Sequence, residues 1–493
     1  MAVEGGVQVK LDAYWQLEGT LVCTTPMHIG DGASEVFDSD EGGETVPAEV
    51  QTVARTVHGN ARIPGTALKG VLRRACSGDT ELNEKLFGKI ESGEMGGLVQ
   101  FLDACSETRV ELDEKNIHRR TAIDDIAGTA ENHKLFAKQL VPCGTKFSVR
   151  IRGKSYDPDA WKSHVGFLNA ALNLSSGGGL QFGASDANDK GKCKWTLSAV
   201  RVMDAKEVQN WLEDPKPIDT ALGGLPNRLA EIDIPAHVAE SPACKSVEIK
   251  LHFNEHFFLV NDPSKTRKRG DPKGEGHSYV ARRDGNSLLL PAESFRGVLA
   301  HQASKIACTR DKTGKREEVK RGADSKLPGD IGCVTRLFGG PGWRSVLDIS
   351  DFKEVLSVAR NGVPTIAETL EPNTKVQQFV AVDRFTAAGG SDKMKFDAEG
   401  GWQPCLQGSV TINLQRLRLL GEDVRPSLGL LALVLRDLAE GDLTFGWGAG
   451  KGYGWAEIDT QTLTPVQWVE NALREFGPGS VKEWIKAWEE GGI

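Results

Sequence analysis

The residues best suited to chemistry fall in two stretches of opposite charge. Between Asp31 and Ala54 stand seven acids (Asp31, Glu35, Asp38, Asp40, Glu41, Glu44, Glu49) and no Lys or Arg. Carboxylates at that density suit a hard divalent cation, although a solvated, mobile loop has the same composition. Further along, NDPSKTRKRGDPKGEGHSYVARRDG (261–285) carries Lys265, Arg267, Lys268, Arg269, Lys273, Arg282 and Arg283. Seven cations in one loop repel one another unless an anion sits among them, so a phosphate backbone is the natural occupant. Each stretch precedes an apolar-Pro motif, IPGTALKGVLRR (63–74) or LPAESFRGVLAH (290–301). A helix starting after that proline offers amides and cations to a phosphate: Lys69, Arg73 and Arg74 in one copy, Ser294 and Arg296 in the other.

The elements that must position these residues occur twice. Leu86-Phe87-Gly88 matches Leu337-Phe338-Gly339, and each is followed by an apolar stretch closing on an acid, Asp103 or Asp351. TAIDDIAGTAENHKLF matches VAVDRFTAAGGSDKMKF, aligning Asp124 with Asp383 and Phe136 with Phe396. VPCGTKFSVRI is set against QPCLQGSVTINL, placing Gly144 opposite Gly408. GGGLQFG is set against GDLTFGWG, placing Gly183 opposite Gly446. The intervals agree, 39 residues from Gly144 to Gly183 and 38 from Gly408 to Gly446, and the one large excess is a charged insertion at 309–332. Ordered matches at near-equal intervals indicate tandem duplication. Each copy reads strand, helix, β-rich middle, helix, strand, an α+β ferredoxin-like plan. The expected organisation is a first domain at 1–205, a connecting arm at 206–245, a second domain at 246–464 and a helical tail at 465–493.

Composition bounds the rest. The 493 residues are 39% hydrophobic and 26% charged, ordinary for a globular chain, and no apolar run nears the ~18 residues of a membrane span. No secretory signal and no membrane association are expected. Nine scattered cysteines without a CxxC pair speak against a disulfide framework or a Cys-based zinc site and fit a cytoplasmic protein. The net charge of -8 hides the division between an acidic and a basic loop. GWGAGKGYG (446–454) satisfies neither GxxxxGK[ST] nor GxGxxG, so a nucleotide cofactor is disfavoured.

HIGDG (28–32), IPGTALKGVLRR, the Leu-Phe-Gly motif with its following Asp, AIDDIAG, VAVDRFTA and the glycine-rich terminal loops together resemble the RAMP superfamily of CRISPR-associated proteins. More narrowly they resemble crRNA-binding backbone subunits of type III effector complexes. Two units in one chain are similar to the fused subunits of type III-D complexes. The resemblance implies two RRM-like (ferredoxin-like) palms, each with a β-hairpin thumb, and crRNA, target RNA and other type III effector subunits as partners. It implies Mg2+-dependent cleavage of target RNA at a loop carboxylate before the Pro motif. The family's Asp falls nearest Glu49 in the first copy and His277 in the second, neither of them Asp. The catalytic candidates are therefore Asp31, Asp38, Asp40 and Glu49, with Asp38 and Asp40 as metal ligands. A catalytically silent filament subunit and a metal-independent precursor-crRNA endonuclease are the alternatives. RNA contacts are expected from Lys69, Arg73, Arg74, Ser294, Arg296, Lys451 and the basic loop. The thumbs would add Arg119 and Arg120 beside His118, and Arg384 and Phe385 after Asp383.

Overall fold

The computed structural model describes residues 11–491 apart from 42–43, 77–79, 89–95, 124–129, 175–180, 184–187, 189, 234–243, 254–256, 263–276, 311–331, 341, 356, 361–362, 367–373, 381, 383–384, 386–394, 422 and 461.

Alternation of apolar and polar residues builds the first palm. In β1 (Ala13–Cys23), Trp15, Leu17, Leu21 and Cys23 all turn into the core. β1 pairs antiparallel with β4 (Cys193–Asp204) on one side and β3 (Lys146–Ser155) on the other. β2 comes in two halves, Val99–Phe101 and Ala104–Arg109, both paired with β3. The order β4-β1-β3-β2 is that of a ferredoxin-like sheet. It is covered by α1 (Gly65–Ala75), which buries Leu68 and Leu72, and by α2 (Ala160–Asn173), which buries Trp161, Val165 and Leu168.

The second palm repeats this plan. β5 (Cys244–His252) lies between β8 (Glu457–Ile458) and β7 (Cys405–Asn413), and β7 in turn pairs with the split β6 (Leu347–Ile349 and Phe352–Glu354). α3 (Ala292–Arg310) and α4 (Arg425–Ala439) cover it. α4 is apolar on nearly every side and almost wholly buried, because the two tail helices Pro465–Ala472 and Val481–Gly491 close its outer face with Val469, Trp484 and Trp488. The fold is therefore α+β, with two ferredoxin-like units in tandem.

Each palm carries an appended sheet in the place expected of a thumb. In the first, hairpin Ser34–Glu41/Glu44–Gln51 joins hairpin Ile117–Ile123/Ala130–Gln139 through a parallel contact, Val50 beside Ala137. In the second, Lys395–Trp402 is the central strand, flanked by Thr374–Val380 and, in parallel, by Tyr279–Val280. Residues 205–231 of the connecting region are not extended. Two short helices there bury Val208 and Leu222 against Met203 at the end of β4. Most of the 309–332 insertion lies outside the described residues.

The repeated motifs have structural work that their sequence alone does not reveal. Asp103 and Asp351 sit at the break between the halves of β2 and β6. Asp103 Oδ1 accepts the Gly65 amide at 2.8 Å, and Asp351 Oδ1 accepts the Ala292 amide at 2.7 Å. Each helix that follows a Pro motif is thus capped by a carboxylate from a distant strand. In the second palm the same motifs meet in an aromatic stack, Phe295 lying 4.2 Å from Phe352 and 5.2 Å from Phe445.

The glycine-rich loops close in the same way. Gly183 (φ 88°) and Gly446 (φ 85°) lie so near the carbonyls of His28 and Leu259 that a Cβ would come within 2.3 Å of either oxygen. The match of Gly144 with Gly408 does not hold in the structure. Gly144 and Gln403 hold the equivalent place, both with positive φ just before β3 and β7. The recurring Pro-Cys dipeptide shifts that alignment.

Candidate RNA interface and interdomain junction

The helix starts after Pro64 and Pro291 are less open to phosphate than their sequence suggests. Asp103 occupies the first amide and also takes Arg62 at 3.0 Å. The Gly65 amide above all, with Arg62 helping against a small cost of burial, holds the Asp103 carboxyl below the usual range. Arg73 is spent on the carbonyl of Gly88 at 2.8 Å. Lys69 is half-buried and Arg74 is exposed on the same helix.

Arg296 serves the protein interior. Its guanidinium donates to Ser345 Oγ at 2.7 Å, to the Leu347 carbonyl at 2.6 Å and to Asn188 Oδ1 of the first domain at 2.5 Å. Around it lies a junction that the sequence does not announce. His118 Nε2 from the first thumb is 3.3 Å from Glu293 Oε1, while Lys190 Nζ is 3.8 Å from Glu293 and 3.7 Å from Asp351. All four side chains are largely buried. Beside Arg296, Ser294 starts α3 with its amide on the Pro291 carbonyl. The glycine-rich loop and thumb root of one domain therefore grip the Pro-motif helix of the next.

The acidic stretch folds as a hairpin, with Asp38 paired to Pro47 and Asp40 to Thr45; the side chains of these two acids fall outside the described part. Asp31 accepts the Ala33 amide at 3.1 Å, Glu35 pairs with Arg55 at 3.1 Å and Glu49 accepts the Ser34 hydroxyl at 2.6 Å. Among the described residues no three His, Cys, Asp or Glu side chains converge on a metal site. Asp31, Glu35 and Glu49 are thus each engaged locally, with an amide, an arginine and a hydroxyl.

Of the thumb candidates, Arg119 is half-buried, the Arg120 side chain, Asp124, Asp383 and Arg384 lie outside the described residues, and Phe385 is 97% exposed. Lys265, Arg267, Lys268, Arg269 and Lys273 also lie outside them. Arg282 is half-buried, and Arg283 pairs with Glu399 at 2.5 Å. Lys451 Nζ stands 4.8 Å above the Trp447 ring, which is itself packed by Tyr279, Phe379, Phe396 and Tyr453. These aromatics are scattered over 175 residues (279 to 453), so no local motif announces their cluster.

One further constellation lies at the root of the second thumb. His277 Nδ1 is 2.7 Å from Asp397 Oδ2, and Asp397 Oδ1 accepts both the amide and the hydroxyl of Ser278 at 2.9 Å. Burial pushes the Asp397 carboxyl up, but the hydrogen bonds from His277 and Ser278 outweigh it and bring it to about 2.

No helix among the described residues is long and apolar enough to cross a membrane. A family model described as the RAMP superfamily matches residues 20–194 and 270–457. A chain from a cryo-EM structure of type III-B Cmr-beta in the apo state is 13% identical, with a TM-score of 0.26, covering 37% of this chain and 96% of its own length. No curated protein matches.

Proposed function

The chain belongs to the RAMP superfamily, and on that premise we propose that it is a double backbone subunit of a type III CRISPR ribonucleoprotein, of the fused type III-D kind, binding crRNA. The observation that carries this reading is the duplication itself. Two palms of one topology stand in tandem, and the loop and thumb of one grip the first helix of the other through Lys190, His118, Glu293 and Arg296. A head-to-tail contact of this type sets successive RNA-binding units at a fixed step along a strand.

The basic residues of 265–283, the exposed Phe385 and Lys451 are the groups through which the chain would hold the guide–target duplex. Cleavage of target RNA with Mg2+ at the acidic hairpin forms the catalytic part of the reading. Because Asp31 and Glu49 are engaged locally, the cation would fall to Asp38 and Asp40. The test is co-expression with the other subunits of a type III complex and a CRISPR array. The reading expects guide RNA of uniform length to co-purify with the chain; purification of the complex without the chain, or of the chain without RNA, would contradict it.

A further inference from the structure

The contact between the palms is head-to-tail, so it leaves one face of each palm uncovered. The duplication identifies the residues on those faces. The helix caps align Gly65 with Ala292 and Asp103 with Asp351, so Thr66 stands for Glu293 and Lys69 for Arg296. Phe182 and Phe445 donate their amides to the carbonyls of Gly191 and Gly454, so Asn188 corresponds to Lys451 and Lys190 to Tyr453. In the thumbs, Phe136 pairs with Arg120 and Phe396 with Phe379, which matches His118 with Gln377. The Tyr453 hydroxyl donates to Gln377, so these two counterparts meet each other where His118 and Lys190 meet Glu293. The Asp351 side chain is 12% exposed beside Lys190 of the first domain, whereas Asp103, in the same place, is 43% exposed.

A second copy of this chain would not complete these faces. At the internal junction Arg296 donates to Asn188, and Lys190 faces Glu293 and Asp351. Between copies docked in the same way, Lys69 would meet Lys451, and like charges brought together at a contact repel. Thr66 offers no carboxylate in place of Glu293, and Asp103 is already matched by Arg62. RNA phosphate is the poorer occupant of the α1 face, since Asp103 takes the first amide and the counterpart of Lys69 serves a protein loop.

We propose that the uncovered α1 face of the first palm docks a different protein, whose loop sets an Asp or Glu against Lys69 in the place that Asn188 holds against Arg296. Lys451 keeps a second copy of this chain out of that position. Lys69 and Lys451 thereby decide which neighbour follows this chain. The inference rests on the internal junction, and its first test needs no RNA.

The experiment is a charge-reversal cycle on the full chain, read by sedimentation equilibrium, with thermal unfolding to verify that each variant is folded. Wild type should stay monomeric. Lys451→Glu alone and Lys69→Glu alone each create an opposite pair between copies and should tighten self-association by about 10-fold or more. The double variant, with two acids in contact, should return to the monomer. Self-association of wild type, or single variants no more associated than wild type, overturns the proposal. In the type III complex co-expressed as above, a carbodiimide, which joins an amine to a touching carboxylate, should link Lys69 to an acid of another subunit. A link to a second copy of this chain, or none, overturns the proposal, and Lys69→Glu that sheds RNA yet keeps every subunit makes the face an RNA site instead. A complex that does not form contradicts the proposed function and leaves the sedimentation result standing.

Discussion

Glu293, at the start of the second domain's first helix, lies 3.3 Å from Nε2 of His118 in the first domain's thumb. Lys190 completes the contact by facing both Glu293 and Asp351 from 3.8 and 3.7 Å. Charges this buried are stabilising only as a set, since removing one member leaves the others uncompensated.

Lys190→Met should accordingly destabilise the chain by about 3 kcal/mol, because two largely buried carboxylates then lose the ammonium they share. Adding Glu293→Gln should recover part of that stability. Thermal unfolding of both single variants and the double variant checks this, and strictly additive effects would show that the groups are not coupled.

The helix caps give a second expectation. Asp103→Ala and Asp351→Ala should each cost about 1 kcal/mol, as removal of an N-cap does. Denaturant unfolding reads the change. Since the Asp103 carboxyl is held low by the Gly65 amide, its contribution is present above the ordinary carboxylate pKa and fades as pH falls through the depressed one.

Gly183 and Gly446 should behave alike. Alanine at either would occupy a positive φ, costing about 1–3 kcal/mol, and would also press its Cβ onto a backbone carbonyl. Comparable drops in thermal stability are expected in Gly183→Ala and Gly446→Ala, whereas Gly450→Ala, which meets nothing within 4 Å, should be near neutral.

How much of this is legible in the sequence depends on the reach of each signal. The duplication is readable because Pro, Gly and Asp recur in one order where backbone geometry demands them, at Pro64 and Pro291, Asp103 and Asp351, Gly183 and Gly446. The junction is not, because His118 and Glu293 are 175 residues apart (118 to 293) and belong to no shared pattern. His277 and Asp397 are hidden in the same way, 120 residues apart. Arg296 misleads for a different reason. A cation after a helix-starting proline suggests phosphate, yet here its donors are consumed by Ser345, Leu347 and Asn188.

His164 supplies a pH dependence. Burial, helped by the charge of Lys85, lowers its pKa from 6.5 to about 4. The folded state therefore favours the neutral ring, so stability is full above pH 6.5 and declines as pH falls towards 4, by up to about 3 kcal/mol. His164→Gln should flatten the stability curve over that window.

The most direct test of the chain as an RNA-holding subunit is the salt dependence of its RNA affinity, with and without four charges of the basic loop. Neutralising Lys265, Arg267, Lys268 and Arg269 together should weaken binding and reduce the slope of log K against log salt by about 3, near 0.7 for each single-strand phosphate left without its cation. An affinity and slope equal to those of the wild type would contradict the account.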